Sequence, residues 1–303
     1  VTKRRARFFL ATRASVKLQY LAMSSGRRRA APALFVLVAM TVAAAGAAAH
    51  PEPGERIEEL GFALQRHPED PLLWIERARE YLNEGDAAAA LADLDRAESL
   101  APHRPEVPLE RGTALLALDR PAEAEAQLTL AIGLDPSSET AHVLHGRALL
   151  ALGRPREAAR DFERGIERSA RPSPDQYLEW ARALAGPGAA GIDEALRALD
   201  RGLAGVGESP ALVEEAVRLE CARGAYDEAL ARIDRHPAAW GSSAARRARR
   251  GDVLRAAGRE LEAQAEYSAA LAELEAGSRR HSVALEARLH EALRQGTPVT
   301  GRP

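Results

Sequence analysis

Asp70 to Pro102 reads DPLLWIERAREYLNEGDAAAALADLDRAESLAP, and this stretch recurs in weakened form down most of the 303-residue chain. Counting Pro71 as position 1, Trp74 stands at position 4, Ala78 at 8, Tyr81 at 11, Gly85 at 15, Ala90 at 20, Leu94 at 24, Ala97 at 27 and Pro102 at 32. A shift of 34 residues brings Gly112, Leu115, Ala124, Leu128, Ala131 and Pro136 onto positions 8, 11, 20, 24, 27 and 32. A second shift brings Gly146, Leu149, Gly153, Ala158 and Phe162 onto positions 8, 11, 15, 20 and 24. Pro121 and Pro155 are also 34 apart. Each falls in the first turn of a second helix, where a missing N–H leaves no bond unmade. A self-similar period of this length signals a stacked array.

Two helices of about 14 residues can cross closely only where small side chains meet, hence Ala or Gly at positions 8, 20 and 27. Large residues at 4, 11 and 24 fill the space beside that contact. One pair cannot bury its apolar face alone, so successive pairs stack. The pattern resembles the tetratricopeptide (TPR) repeat, of the exported bacterial type. The resemblance implies an all-α, right-handed α-solenoid of about six helix-turn-helix repeats with capping helices at both ends. It also implies a scaffold that binds a protein or peptide, without naming one.

Composition agrees with an all-helical chain: Ala, Leu, Arg and Glu dominate and aromatic residues make up 4%. Residues 1–49 are different. They hold nine basic residues (Lys3, Arg4, Arg5, Arg7, Arg13, Lys17, Arg27, Arg28, Arg29) and no acidic one. Arg27-Arg28-Arg29 precedes an apolar run, Ala33 to Ala49, that ends in small residues before His50. This predicts a signal peptide over 23–49, cleaved after Ala47-Ala48-Ala49, and a periplasmic or extracellular product. The segment 1–22 would then be an upstream extension, with translation starting at Met23. The other reading is an uncleaved anchor, because the run approaches the length of a membrane span. Without residues 1–49, the 42 basic residues fall by nine to 33 against 44 acidic, a net charge of −11. So acidic a chain is repelled by phosphate backbones, which argues against nucleic acid as a partner. Once the leader is gone, nothing in the sequence calls for a membrane. The single cysteine, Cys221, excludes an internal disulfide and reads as a small buried residue.

Along the chain, 50–69 reads as a lead-in and a capping helix from Glu55 to His67. Three well-formed repeats occupy 71–172. Three degenerate ones follow over 173–276. The first of these opens with Ser173-Pro174-Asp175-Gln176, a capping box, and two extra residues in Gly186 to Gly191 lengthen its turn. Val217 and Glu220 depart from the small and large residues expected at their positions. A C-terminal capping helix is expected over 278–295, with Leu285, Leu289 and Leu293 on one face, and 296–303 reads as a disordered tail.

No phosphate loop, nucleophile elbow or zinc-protease motif is present, so no catalytic residue and no cofactor is assigned and the chain does not read as an enzyme. His142 and His145 are spaced to share a metal, yet they fall on positions 4 and 7, which face neighbouring helices, so packing is the better reading. His50, as a new N-terminus, could chelate copper through its amine and imidazole, which leaves a remote copper-binding alternative.

The resemblance places a peptide-binding groove on first-helix positions 2, 5, 6, 9, 12 and 13. Position 9 is arginine in four repeats (Arg79, Arg147, Arg182, Arg218), with Thr113 and Asp252 as the exceptions. Position 6 is Glu76, Glu110, Glu179 and Glu215; position 5 is Ile75, Leu109, Val143 and Leu178. An apolar floor beside an arginine row and a glutamate row would suit an extended peptide with carboxylates on the arginines. Mutual neutralisation of the two rows across a solvated wall is the competing expectation. The TPR clamp for chaperone C-termini uses Lys and Asn at groove positions, and these are absent here. An accessory subunit of an exported enzyme complex, docking by its convex face or ends, is the alternative function.

Overall fold

The computed structural model describes residues 53–186, 189–276 and 283–296; the leader, His50, the middle of the Gly186 to Gly191 turn and the C-terminal tail lie outside these. The described residues form fourteen α-helices and one short 3-10 turn, with no strand among them. No helix among the described residues is long and apolar enough to cross a membrane.

The chain divides into two compact parts between Glu59 and Leu60, within helix α1 (Pro53–Arg66). Of the first part only 53–59 is described, the opening turns of that helix. The second part is the array. Six helix pairs follow: α2 (Pro71–Asn83) with α3 (Ala87–Leu100), α4 (Glu106–Ala117) with α5 (Pro121–Leu134), and α6 (Glu139–Ala151) with α7 (Pro155–Arg168). Then come α8 (Pro174–Leu184) with α9 (Ala189–Val206), α10 (Pro210–Ala222) with α11 (Tyr226–Arg235), and α12 (Ser243–Ala256) with α13 (Glu260–Ala276). The last helix, α14 (Val283–Gly296), packs on α13. Each helix touches the next in sequence from α2 to α14, which is the contact pattern of a solenoid.

Local chemistry sets where helices begin. The Asp70 side chain accepts from Leu72 N at 3.0 Å, with Pro71 in the first turn of α2. Ser173 and Gln176 form the expected reciprocal capping box at the start of α8, at 3.4 and 2.8 Å. Within pairs, the turn needs a left-handed residue at position 15, supplied by Gly85, Gly153, Gly224 and Gly258. In the second repeat Asp119 holds that place with φ 55°.

The helix crossing is decided at positions 8 and 24. Leu94, Leu128, Phe162, Leu199, Ile233 and Tyr267 occupy position 24, every one fully buried. Opposite them stand Ala78, Gly112, Gly146, Ala181, Val217 and Gly251. A methyl group on Gly112 would come within 2.5 Å of Leu128, one on Gly146 within 3.0 Å of Phe162, and one on Gly251 within 2.5 Å of Tyr267. The largest partners thus face glycine, and where position 8 grows to Val217 its partner is Ile233. Ala90, Ala97, Ala124 and Ala158 are fully buried as well, closing the second-helix side of the contact. Trp74 and Tyr81 are half-buried against the first repeat's core, and Trp74 Nε1 donates to Pro68 O at 2.9 Å. Pro102 and Pro136 stand in the turns that follow α3 and α5.

Candidate functional site

First helices of successive pairs touch one another directly: α2 with α4, α4 with α6, and α8 with α10. This side of the array is therefore a wall of adjacent first helices, and positions 6 and 9 lie along it. Arg79 Nε donates to Glu110 Oε1 at 2.5 Å, one repeat ahead. Arg147 makes the same bond to Glu179, at 2.9 Å between the closest atoms. Arg218 turns back on its own helix and grips Glu215 with two bonds of 2.9 and 2.8 Å. That grip holds the Glu215 carboxyl below the usual carboxylate range against the cost of its burial, and the field of Arg182 adds to it. Arg182 is exposed and bonds to no carboxylate among the described residues. Glu76 is exposed at the start of the row.

Farther along, the signs reverse. Asp252 holds position 9 and pairs with Arg288 of α14, while Arg249 at position 6 reaches back to Glu214 at 2.8 Å. Two of the four row arginines thus pair with the glutamate of the next repeat, Arg218 pairs within its own helix, and Arg182 has no bonded carboxylate among the described residues. Each guanidinium still offers more donors than one carboxylate uses.

The apolar floor is corrected by burial. Ile75 is 1% exposed, and Val143 and Leu178 are 7% exposed. Their side chains point into the core, where adjacent first helices pack, and a ligand on the wall would not touch them. Leu109 is half-buried and packs on a separate cluster of Leu115, Ala124, Leu128 and Ala148. The wall is polar at its surface.

The histidine pair is a packing element with a partner that spacing did not reveal. His145 Nδ1 lies 2.6 Å from Asp161 Oδ2 and His142 Nδ1 lies 3.4 Å from Asp161 Oδ1. The His145 Nδ1 at 2.6 Å from the carboxylate donates to it, while His142 sits between two acceptors, Asp161 at Nδ1 and Pro136 O at 3.3 Å from Nε2. Burial raises the Asp161 carboxyl, but the bonds from His145 and His142 outweigh it and leave it below its ordinary value. No group of three His, Cys, Asp or Glu among the described residues is arranged to hold a metal. Cys221 is half-buried rather than buried, and desolvation pushes its thiol up, away from reactivity.

His145–Asp161 is one case of a wider pattern between positions 7 and 23, sixteen residues apart. Arg77 bonds to Asp93 through two contacts of 2.7 Å, and Arg250 bonds to Glu266 at 2.8 Å. Arg111 instead reaches back to Asp95 and Glu98 of the preceding second helix, at 2.8 and 2.5 Å. A basic residue or histidine followed sixteen residues later by an acid is visible in the sequence, at positions outside the wall.

Residues 216–293 match the family model of the tetratricopeptide repeat-like domain. No curated protein matches the chain. Among solved structures, YrrB, a TPR protein with an unusual peptide-binding site, is 18% identical over 63% of this chain and 96% of its own, with TM-score 0.51. PilW, a type IV pilus biogenesis factor, is 20% identical over 72% of this chain and 98% of its own, with TM-score 0.51. A tetratricopeptide repeat protein from Parabacteroides merdae is 19% identical over 79% and 90%, with TM-score 0.48. At such identities the likeness is one of fold. The fold is that of a tetratricopeptide-type α-solenoid, and the family model itself covers residues 216–293 of it.

Proposed function

We propose that the chain is a non-catalytic scaffold whose first-helix wall holds a segment of another protein, in the bacterial cell envelope if residues 1–49 direct export. One observation carries this reading: the wall arginines are exposed and already held in place. Side chains of Arg79 and Arg147 remain 46% and 49% exposed while bonded to Glu110 and Glu179. A guanidinium fixed by one carboxylate has its remaining N–H groups aimed outward, so less rotamer entropy is lost when a peptide carbonyl or carboxylate arrives. Arg182, exposed between them and the Glu215–Arg218 pair, adds a cation with no hydrogen-bonded carboxylate among the described residues. The apolar contribution assigned to position 5 is withdrawn, so recognition rests on polar bonds.

The test is affinity capture from the native host with residues 50–303 as bait, beside a bait carrying Arg79→Glu and Arg182→Glu. A partner caught by the first and lost by the second supports recognition on the wall. A partner caught equally by both moves recognition to the opposite face or the ends, the accessory-subunit arrangement.

A further inference from the structure

We propose that the outward face formed by α5 and α7 is a second docking site, for an amphipathic helix of another protein with acidic residues along one flank and apolar residues along the next. It lies on the second helices, away from the first-helix wall, and does not rest on the reading of that wall.

Positions 18, 22, 26 and 30 form one stripe at four-residue spacing along each second helix. In α5 the stripe is Ala122, Ala126, Leu130 and Leu134; 34 residues later, in α7, it is Arg156, Arg160, Arg164 and Arg168. All eight residues are exposed, Leu130 by 56% and Leu134 by 44%. Among the second helices of the six pairs, with α9 counted two residues late for its lengthened turn, α5 alone has no charge at these positions. None but α7 has more than two arginines there. The fold asks for neither stripe. α5 holds only two charged side chains, Glu123 and Glu125, which bond to Arg120 at 2.6 Å and to Arg154 at 2.9 Å. A helix with so few charges belongs in an interior, yet Leu130 and Leu134 meet solvent. Like charges four residues apart weaken a helix rather than support it.

The two stripes flank one cleft, with Thr129 and Ile132 on its α5 side and Arg160 and Arg164 on its α7 side. The acids of α7 are engaged elsewhere. Glu157 is gripped by Arg154 through bonds of 2.7 and 2.8 Å, and Asp161 is buried against His142 and His145. Glu163 and Glu167 turn toward α9, where they meet Arg201 at 3.4 and 3.9 Å. Arg156 and Arg160 bond to no carboxylate among the described residues. Arg164 reaches Asp161 only at 3.4 Å, and Arg168 donates to the carbonyls of Pro136 and Arg164. Four-residue steps place successive side chains about 6 Å apart along the axis, so the stripe is about 18 Å long, the length of a helix of about 12 residues. A helix laid alongside repeats that step. Its carboxylates at i and i+4 meet the guanidiniums in register, and its apolar flank covers Leu130 and Leu134. A phosphate backbone or an anionic lipid surface is the poorer match, because the array beyond the leader is acidic as a whole and repels an extended anionic surface. A short helix meets only the local stripe.

The experiment uses the full chain and a terminally blocked helical peptide with glutamates at four-residue intervals along one flank and leucines at four-residue intervals along the next. A scrambled peptide of the same composition, a glutamine-for-glutamate copy, a single-stranded oligonucleotide and anionic phospholipid vesicles serve as comparison arms, all followed by calorimetry. The patterned peptide is expected to bind tenfold or more tightly than its scrambled and glutamine copies. Arg156→Gln/Arg160→Gln and Leu130→Gln/Leu134→Gln should each weaken that binding at least fivefold, whereas Arg79→Glu/Arg182→Glu should leave it within twofold. All six substitutions are at exposed positions, and circular dichroism confirms that the variants stay folded. Absence of binding, equal binding of the scrambled copy, loss only in the wall variant, or tighter binding of the oligonucleotide or vesicles would each overturn the assignment.

Discussion

Arg147 bonds to Glu179 across the boundary between two repeats, 32 residues apart, and Arg79 bonds to Glu110 across another, 31 residues apart. The wall is therefore cross-linked by its own charges. These bonds fix side chains more than they stabilise the fold, because both arginines remain about half exposed.

Cutting the ladder should accordingly matter little to folding. Arg147→Ala, Glu179→Ala and the double variant are each expected to shift unfolding by less than about 1 kcal/mol, with a coupling energy of about 0.5 kcal/mol that shrinks in high salt. Urea denaturation of the four proteins gives the cycle. A coupling well above about 1 kcal/mol would mean the ladder sets the repeat spacing and is not chiefly a presenting device.

Crowding at the helix crossing should matter far more. Gly112→Ala and Gly251→Ala each place a methyl group within 2.5 Å of a fully buried side chain, Leu128 or Tyr267. Overpacking of this kind costs about 1–3 kcal/mol. Gly133→Ala, with nothing within 4 Å of the added carbon, serves as the control. It should be neutral or slightly stabilising, because alanine is the better helix former. Equal melting temperatures for Gly112→Ala and Gly133→Ala would contradict the crossing geometry.

Much of this was legible in the sequence, and the residues explain why. Small and large residues at 8, 20, 24 and 27 form local contacts within one helix pair, so a period of 34 displays them directly. The identities of the wall charges were legible too. Mutual neutralisation is an expectation of the sequence as well, but which arginine meets which glutamate is not, since it depends on the displacement of one repeat against the next. Ile75, Val143 and Leu178 were misplaced for the same reason: position 5 turns inward where adjacent first helices touch.

Glu220 shows how a degenerate repeat keeps the fold. It sits at position 11, normally apolar, and is 3% exposed. Arg232 comes within 2.8 Å of it and also holds Asp200 at 2.6 Å. Burying a charge is tolerable only with such a partner. Glu220→Ala should thus cost about 3 kcal/mol, since it leaves Arg232 buried with only the half-exposed Asp200. Glu220→Leu with Arg232→Met should recover most of that loss by replacing the pair with apolar packing. A double variant no more stable than Glu220→Ala, measured by thermal melting, would show that the pair itself specifies the packing of α10 on α11.

Acid sensitivity should centre on Asp161. Its native carboxyl is held below the ordinary value despite burial, because His145 and His142 bond to its ionised form. A carboxyl lowered in the folded state binds fewer protons there than in the unfolded chain at the same pH. Its contribution is therefore complete above the unfolded value of about 4 and is lost as pH falls through the lower native value. Asp161→Asn removes that term and leaves one neutral amide oxygen for two rings, His142 buried and His145 half-buried, so it should destabilise the chain at pH 7 by on the order of 2 kcal/mol. Below about pH 3 the gap between variant and parent should narrow, because the parent carboxyl is then being protonated as well. Denaturant titrations at pH 7, 5 and 3 test this directly. A gap that stays constant across the series would mean Asp161 acts through packing alone, and the two histidine bonds would lose their assigned role.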